Sequence, residues 1–109
     1  MLSSFARANP LKNGVEILVR GTVQGVGFRP FVFKLASRFA ISGTVTNTSD
    51  GVVIRAAGLQ VSSFIDAINN EAPPLARIDK LTWQYLDEPL QDQSFRIIQS
   101  KATESAQAN

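Results

Sequence analysis

The chain has 109 residues, 44% of them hydrophobic, and a formal net charge of +2, enough for one small core and not for two. It contains no cysteine and no histidine, which excludes disulfides, thiolate zinc sites, Cys or His nucleophiles and any Ser-His-Asp triad. No window has the apolar length to cross a membrane, and the eleven basic residues are scattered without a run or interleaved aromatics, so neither membrane nor nucleic acid is an expected partner.

Residues 1–13 carry no continuous hydrophobic region and no small-residue cleavage pattern; they read as a flexible tail, and a cytoplasmic location is expected. Val15, Ile17 and Val19 then alternate with Glu16 and Arg20, the pattern of a strand with one buried face. The stretch VQGVGFRPF (residues 23–31) follows, with two glycines, no acid and an arginine where a helix should begin. Phe31, Leu35 and Phe39 recur every four residues beside Val32, Ala36 and Ala40, with Lys34, Ser37 and Arg38 on the opposite side, so the spacing predicts an amphipathic helix. Pro30 suits its first turn, where no N–H needs a partner.

A hairpin comes next: a strand over Gly43–Thr48, a Ser-Asp-Gly turn at Ser49–Gly51, and a strand over Val52–Ala57. Val61, Phe64, Ile65 and Ile68 mark a second helix, stopped by Pro73 and Pro74. Leu81, Trp83 and Tyr85 alternate with Lys80, Thr82 and Gln84 as a fourth strand, and Phe95 and Ile97 suggest a short fifth. Residues 100–109 are polar and patternless, a flexible tail or linker stub. The order β-α-β-β-α-β predicts an α+β, ferredoxin-like sandwich over residues 14–99, an antiparallel sheet with two helices on one face.

Topology gives the glycine loop a companion. The right-handed crossover rule makes the first two strands parallel, so both end at one edge of the sheet. The loop lies there, and so does Asn47, two residues past Val45 and on the same, helix-facing side. Gly25 and Gly27 permit a sharp turn and close backbone approach. The helix start adds unpaired N–H donors and a positive dipole end. Arg29 supplies a planar fork for two phosphate oxygens, and Asn47 a carbonyl that can accept from water.

No general base is among these residues, which favours a phosphate with a good leaving group, such as an acyl phosphate. Taken alone, the loop is more often a tight turn than a ligand site, an arginine at a helix start is usually solvated, and Asn47 reads first as a strand-end turn residue. Asp50 and Gly51 belong to the hairpin turn. Arg77 and Asp79 read as a surface ion pair or a contact at the start of a strand, and Trp83 and Tyr85 as core or sheet face rather than a binding platform.

At these residues the sequence resembles the acylphosphatase family: RGTVQGVGFR is similar to its phosphate-loop signature and GTVTNTSDGVV to its second signature. The resemblance runs from about Gly14 to Gln99. It implies a hydrolase of the carboxyl–phosphate bond that needs no metal and no cofactor. It matches Arg29 to the arginine that holds the substrate phosphate and Asn47 to the asparagine that positions the attacking water. The backbone from Gln24 through Gly25, Val26 and Gly27 to Phe28 matches the phosphate cradle. GFRPFVFKLA and PPLARID further resemble the N-terminal acylphosphatase-like domain of the hydrogenase-maturation carbamoyltransferases. That branch implies carbamoyl phosphate as substrate, nickel–iron hydrogenase maturation as context, and further domains of a larger chain as partners. Two alternatives stand beside it: a phosphate or carbamoyl phosphate-binding module with little turnover of its own, and a stand-alone general acylphosphatase.

Overall fold

The computed structural model describes residues 13–99; the expected tails fall outside these, at 1–12 and 100–109, except for Asn13. Asn13 is tied in, its Nδ2 donating to the carbonyls of Leu86 and Asp87 at 2.9 and 3.1 Å. The elements are β1 (Val15–Thr22), α1 (Phe28–Arg38), β2 (Ser42–Thr48), β3 (Gly51–Ala57), α2 (Val61–Asn70), β4 (Arg77–Tyr85) and β5 (Phe95–Ile98). The sheet order is β4-β1-β3-β2-β5. β1 pairs antiparallel with β3 and β4, and β2 with β3, so β1 and β2 run parallel with β3 between them. This is the expected ferredoxin-like arrangement.

One feature departs from the antiparallel expectation. β5 pairs parallel with β2, with Gly43 opposite Phe95 and Thr46 opposite Ile98. The reason is topological: β4 opposes β1 and β2, and the chain reverses once more between Tyr85 and Phe95. It therefore reaches the far edge of the sheet travelling the same way as β2. β4 also begins earlier than the alternation around Lys80 predicts. Arg77 and Ile78 pair with Thr22 and Gly21 across a register shift between Arg20 and Gly21. A bulge of this kind interrupts simple alternation, so the pattern in sequence misses the strand's first residues.

The register explains the core. Trp83, Ile17, Ile54, Val45 and Ile97 stand in one row across the five strands, all on the helix face. The three central members are fully buried, whereas Trp83 and Ile97 at the two edges are 44% and 43% exposed. The edge strands lack a neighbour on one side, which leaves the two ends of this row half open. Phe28 and Phe64 are the largest fully buried side chains, each contributing on the order of 1.5–3 kcal/mol by burial.

α1 ends in a Schellman motif. The Ile41 N–H donates to Ala36 O at 2.8 Å and the Ala40 N–H to Ser37 O at 3.3 Å. Ala40 takes the left-handed conformation and Ile41 is buried. An Arg38–Glu71 ion pair at 2.7 Å joins the C-terminal ends of the two helices. No helix among the described residues is long and apolar enough to cross a membrane.

Candidate active site

The loop between β1 and α1 is anchored at both ends by buried side chains, Val23 at 2% and Phe28 at 1% exposure. Between them the backbone is open. Gly25 and Gly27 have φ of +77° and +79°, and a Cβ added at either would meet no atom within 4 Å. Gly27 is the N-cap of α1 and offers no side chain to the helix start, and the first turn contains no acid. The first intrahelical bond is Phe31 N–H to Gly27 O at 3.2 Å. The amides of Phe28 and Arg29 precede it and have no partner within the helix, and Pro30 has no N–H. This loop can offer donors and a positive dipole end to an anion.

Gln24, expected in the cradle, turns its side chain elsewhere. Its Nε2 donates to Thr48 O at 2.8 Å and to Gly51 O at 3.1 Å, the two carbonyls that flank the β2–β3 turn. That turn is further closed by Thr48, whose hydroxyl donates to Gly51 O and accepts from the Asp50 N–H, both at 3.2 Å. A concavity lined by Thr22, Val23, Gln24, Ser49 and Asp50 lies between loop and turn.

Asn47 sits beside this junction, one residue before Thr48. It stands in register with Val52, which pairs along β3 with Val19; both valines are fully buried. Asn47 thus closes the last helix-facing row of the core before the strands end. Its Oδ1 is buried and has no hydrogen-bond partner among the described residues. A buried acceptor left unpaired costs about 1–3 kcal/mol, so this oxygen calls for a donor from water or ligand.

Arg29 is brought to the same corner. Its Nη1 donates to the carbonyl of Ile98 at 3.2 Å, and Ile98 is opposite Thr46, the neighbour of Asn47. One bond from the loop to Thr48 and another from the helix to β5 therefore bracket Asn47 from both sides. The guanidinium is half-buried and held by a neutral acceptor, with its remaining donors unclaimed by any carboxylate among the described residues. A charge kept without a counter-ion suits an anionic ligand.

The structure separates Trp83 and Tyr85 from this corner. Tyr85 pairs with Val15, at the opposite end of the sheet, and the Trp83 and Tyr85 rings meet edge to face at 5.0 Å. Arg77 and Asp79 form an exposed ion pair at 2.9 Å at the start of β4, where Arg77 pairs with Thr22 beside the loop, and Asp50 lines the concavity from the hairpin turn. Among the described residues no three His, Cys, Asp or Glu side chains gather as a metal site would need. Reading the sequence missed three parts of the corner: the Gln24 amide, the Thr48 hydroxyl and the Ile98 carbonyl. Thr48 stood within the second signature, whereas a backbone acceptor such as Ile98 O has no signal in residue type.

Comparison with known proteins bears on the family and the fold. The sequence model of the Acylphosphatase family matches residues 15–97. A carbamoyltransferase HypF from Rhizobium leguminosarum bv. viciae is 42% identical over 97% of this chain, which spans 14% of that protein's length. An acylphosphatase from Lacticaseibacillus paracasei is 40% identical over 75% of this chain and 87% of its own. Among solved structures, full-length HypF in its phosphate- and nucleotide-bound form superposes with a TM-score of 0.75 at 35% identity, over 80% of this chain and 12% of that one. The acylphosphatase from Bacillus subtilis superposes with a TM-score of 0.71 at 33% identity, over 77% and 96%. With two specific signatures, a matching fold and a family match across most of its length, the chain belongs to the acylphosphatase family.

Proposed function

We propose that residues 14–99 form a metal-independent acyl-phosphate hydrolase with carbamoyl phosphate as its natural substrate. The loop backbone from Gln24 to Phe28 and the Arg29 guanidinium bind the phosphoryl group, and Asn47 Oδ1 accepts from the water that attacks phosphorus. The water oxygen forms the new P–O bond, and the bond to the carboxylate oxygen breaks with its electron pair leaving on the carboxylate. The water's proton passes to the phosphate product or to solvent. A stable carboxylate leaving group makes positioning and charge stabilisation sufficient, with no strong base required.

The observation that carries this reading is the buried, unpartnered Asn47 Oδ1 beside a helix start and an arginine that lacks an acidic partner. The choice of carbamoyl phosphate, and the context of nickel–iron hydrogenase maturation, draw support from the likeness to carbamoyltransferases. A second reading is favoured by the same fact, since the chain spans only 14% of the first of those relatives. In that reading the domain holds carbamoyl phosphate for chemistry performed elsewhere in a longer protein.

Phosphate release from benzoyl phosphate and carbamoyl phosphate, measured with a chelator present, tests both. Turnover that survives chelation and is lost in Arg29→Gln, with the fold retained, is the expected result. Phosphate binding without turnover above background supports the module instead.

A further inference from the structure

The Gln24 side chain does not face the open loop; both of its amide hydrogens are used on the opposite hairpin. The two acceptors, Thr48 O and Gly51 O, are the last backbone carbonyl of β2 and the first of β3. A single side chain therefore spans the phosphate loop and the strand end that carries Asn47. Thr48 O belongs to the residue bonded directly to Asn47, and Gln24 is bonded directly to Gly25. Two hydrogen bonds to carbonyls separated by a tight turn define a direction as well as a distance, which one bond would not. The loop's glycines leave its backbone little intrinsic preference of its own, so its placement against β2 must come from contacts such as these.

We infer that Gln24 is a positioning residue that holds the phosphate cradle in register with Asn47. This rests on the reading of Arg29 and Asn47 given above. The phosphoryl group follows the loop and the attacking water follows Asn47, so the attack distance is set by how loop and strand are joined. Errors of about 1 Å in such an alignment can cost about 100-fold in rate. Substrate affinity depends on the cradle and Arg29 by themselves and is less sensitive to the join. Glutamine is suited to this role through its two amide hydrogens. Glutamate places a carboxylate against two carbonyls and has no donor until it is protonated.

The test is steady-state hydrolysis of benzoyl phosphate by the full 109-residue chain, by Gln24→Leu and by Gln24→Glu. The expected result is a fall of about tenfold or more in kcat for Gln24→Leu, with KM and the inhibition constant of inorganic phosphate changed less than about threefold, and an unfolding midpoint near the parental one. Gln24→Glu is expected to be as impaired at neutral pH and to recover relative to Gln24→Leu as acid protonates the carboxyl group. Parental kcat in Gln24→Leu overturns the role of Gln24 alone. A loss carried by KM, or no acid recovery in Gln24→Glu, does so as well. No hydrolysis by the unmodified chain overturns the reading of Arg29 and Asn47, and the positioning role with it.

Discussion

Truncating Asn47 to alanine removes a buried acceptor that nothing in the described structure satisfies, together with the atom proposed to hold the attacking water. These two consequences have opposite signs. Leaving such an oxygen unpaired costs the folded state about 1–3 kcal/mol, and its removal returns that amount. Against this stands the lost packing of a half-buried side chain, about 1 kcal/mol. No side-chain hydrogen bond is given up in the protein. The net expectation is an unfolding free energy between unchanged and about 2 kcal/mol higher, at about 4–8 °C in Tm per kcal/mol for a domain this small. Turnover moves the other way: losing one positioned polar group at a reacting centre costs about 100-fold or more in kcat. Urea unfolding followed by the fluorescence of Trp83, the one tryptophan, gives the first quantity, and absorbance loss of benzoyl phosphate gives the second. Parental kcat would refute the role of Asn47. A variant destabilised by more than about 1 kcal/mol would show that Oδ1 accepts a bond that supports the fold.

Three further expectations follow from the same geometry. A methyl group at Gly25 enters open space, so Gly25→Ala should cost only the left-handed backbone penalty of about 1–2 kcal/mol in stability, while its KM rises because the methyl group keeps a phosphate from the loop backbone proposed to bind it. Equal KM values for the two proteins would count against the loop as the cradle. Phe95 meets the rings of Phe33 and Phe64 at 6.4 and 6.2 Å, and Phe95→Ala should destabilise by about 2–3 kcal/mol. It should also lower turnover in the folded variant, since β5 carries the carbonyl that holds Arg29; unaltered turnover would show that this bond is dispensable. The Glu71 carboxyl is held below its usual pKa chiefly by its hydrogen bond to Arg38. A group whose pKa is depressed on folding adds stability above its unfolded pKa and loses it as pH falls through the lowered value. The urea midpoints of the parent and Glu71→Gln should therefore differ at neutral pH and converge in acid, by a small amount because both partners are half exposed. A difference that persists below the carboxylate range would contradict this.

Periodicity in the sequence was sufficient to locate both helices and all five strands, because a side chain's face follows directly from its spacing. Val15, Ile17 and Val19 could only form a buried strand face, and Val61, Phe64, Ile65 and Ile68 only a helix stripe. The same alternation put Asn47 on the helix side of β2, where the structure has it in register with Val52. Crossover handedness alone places the glycine loop and Asn47 at one edge of the sheet. The parallel pairing of β5 and the early start of β4 were not legible, since one depends on a chain reversal across the whole sheet and the other on a bulge.

The half-exposure of Trp83 was also beyond residue type. Its alternation matches that of Ile17, and only its place on an edge strand distinguishes them. The same holds at the candidate site. The amino-acid sequence alone determined which side chains are suited to the proposed chemistry, because arginine, asparagine and glycine have properties that travel with them. How those side chains are held was decided by tertiary structure: Arg29 on Ile98 O, Gln24 on Thr48 O and Gly51 O, and Asn47 Oδ1 enclosed without a partner. Backbone carbonyls are common to every residue, and burial belongs to a neighbourhood, so neither is visible until the chain has folded.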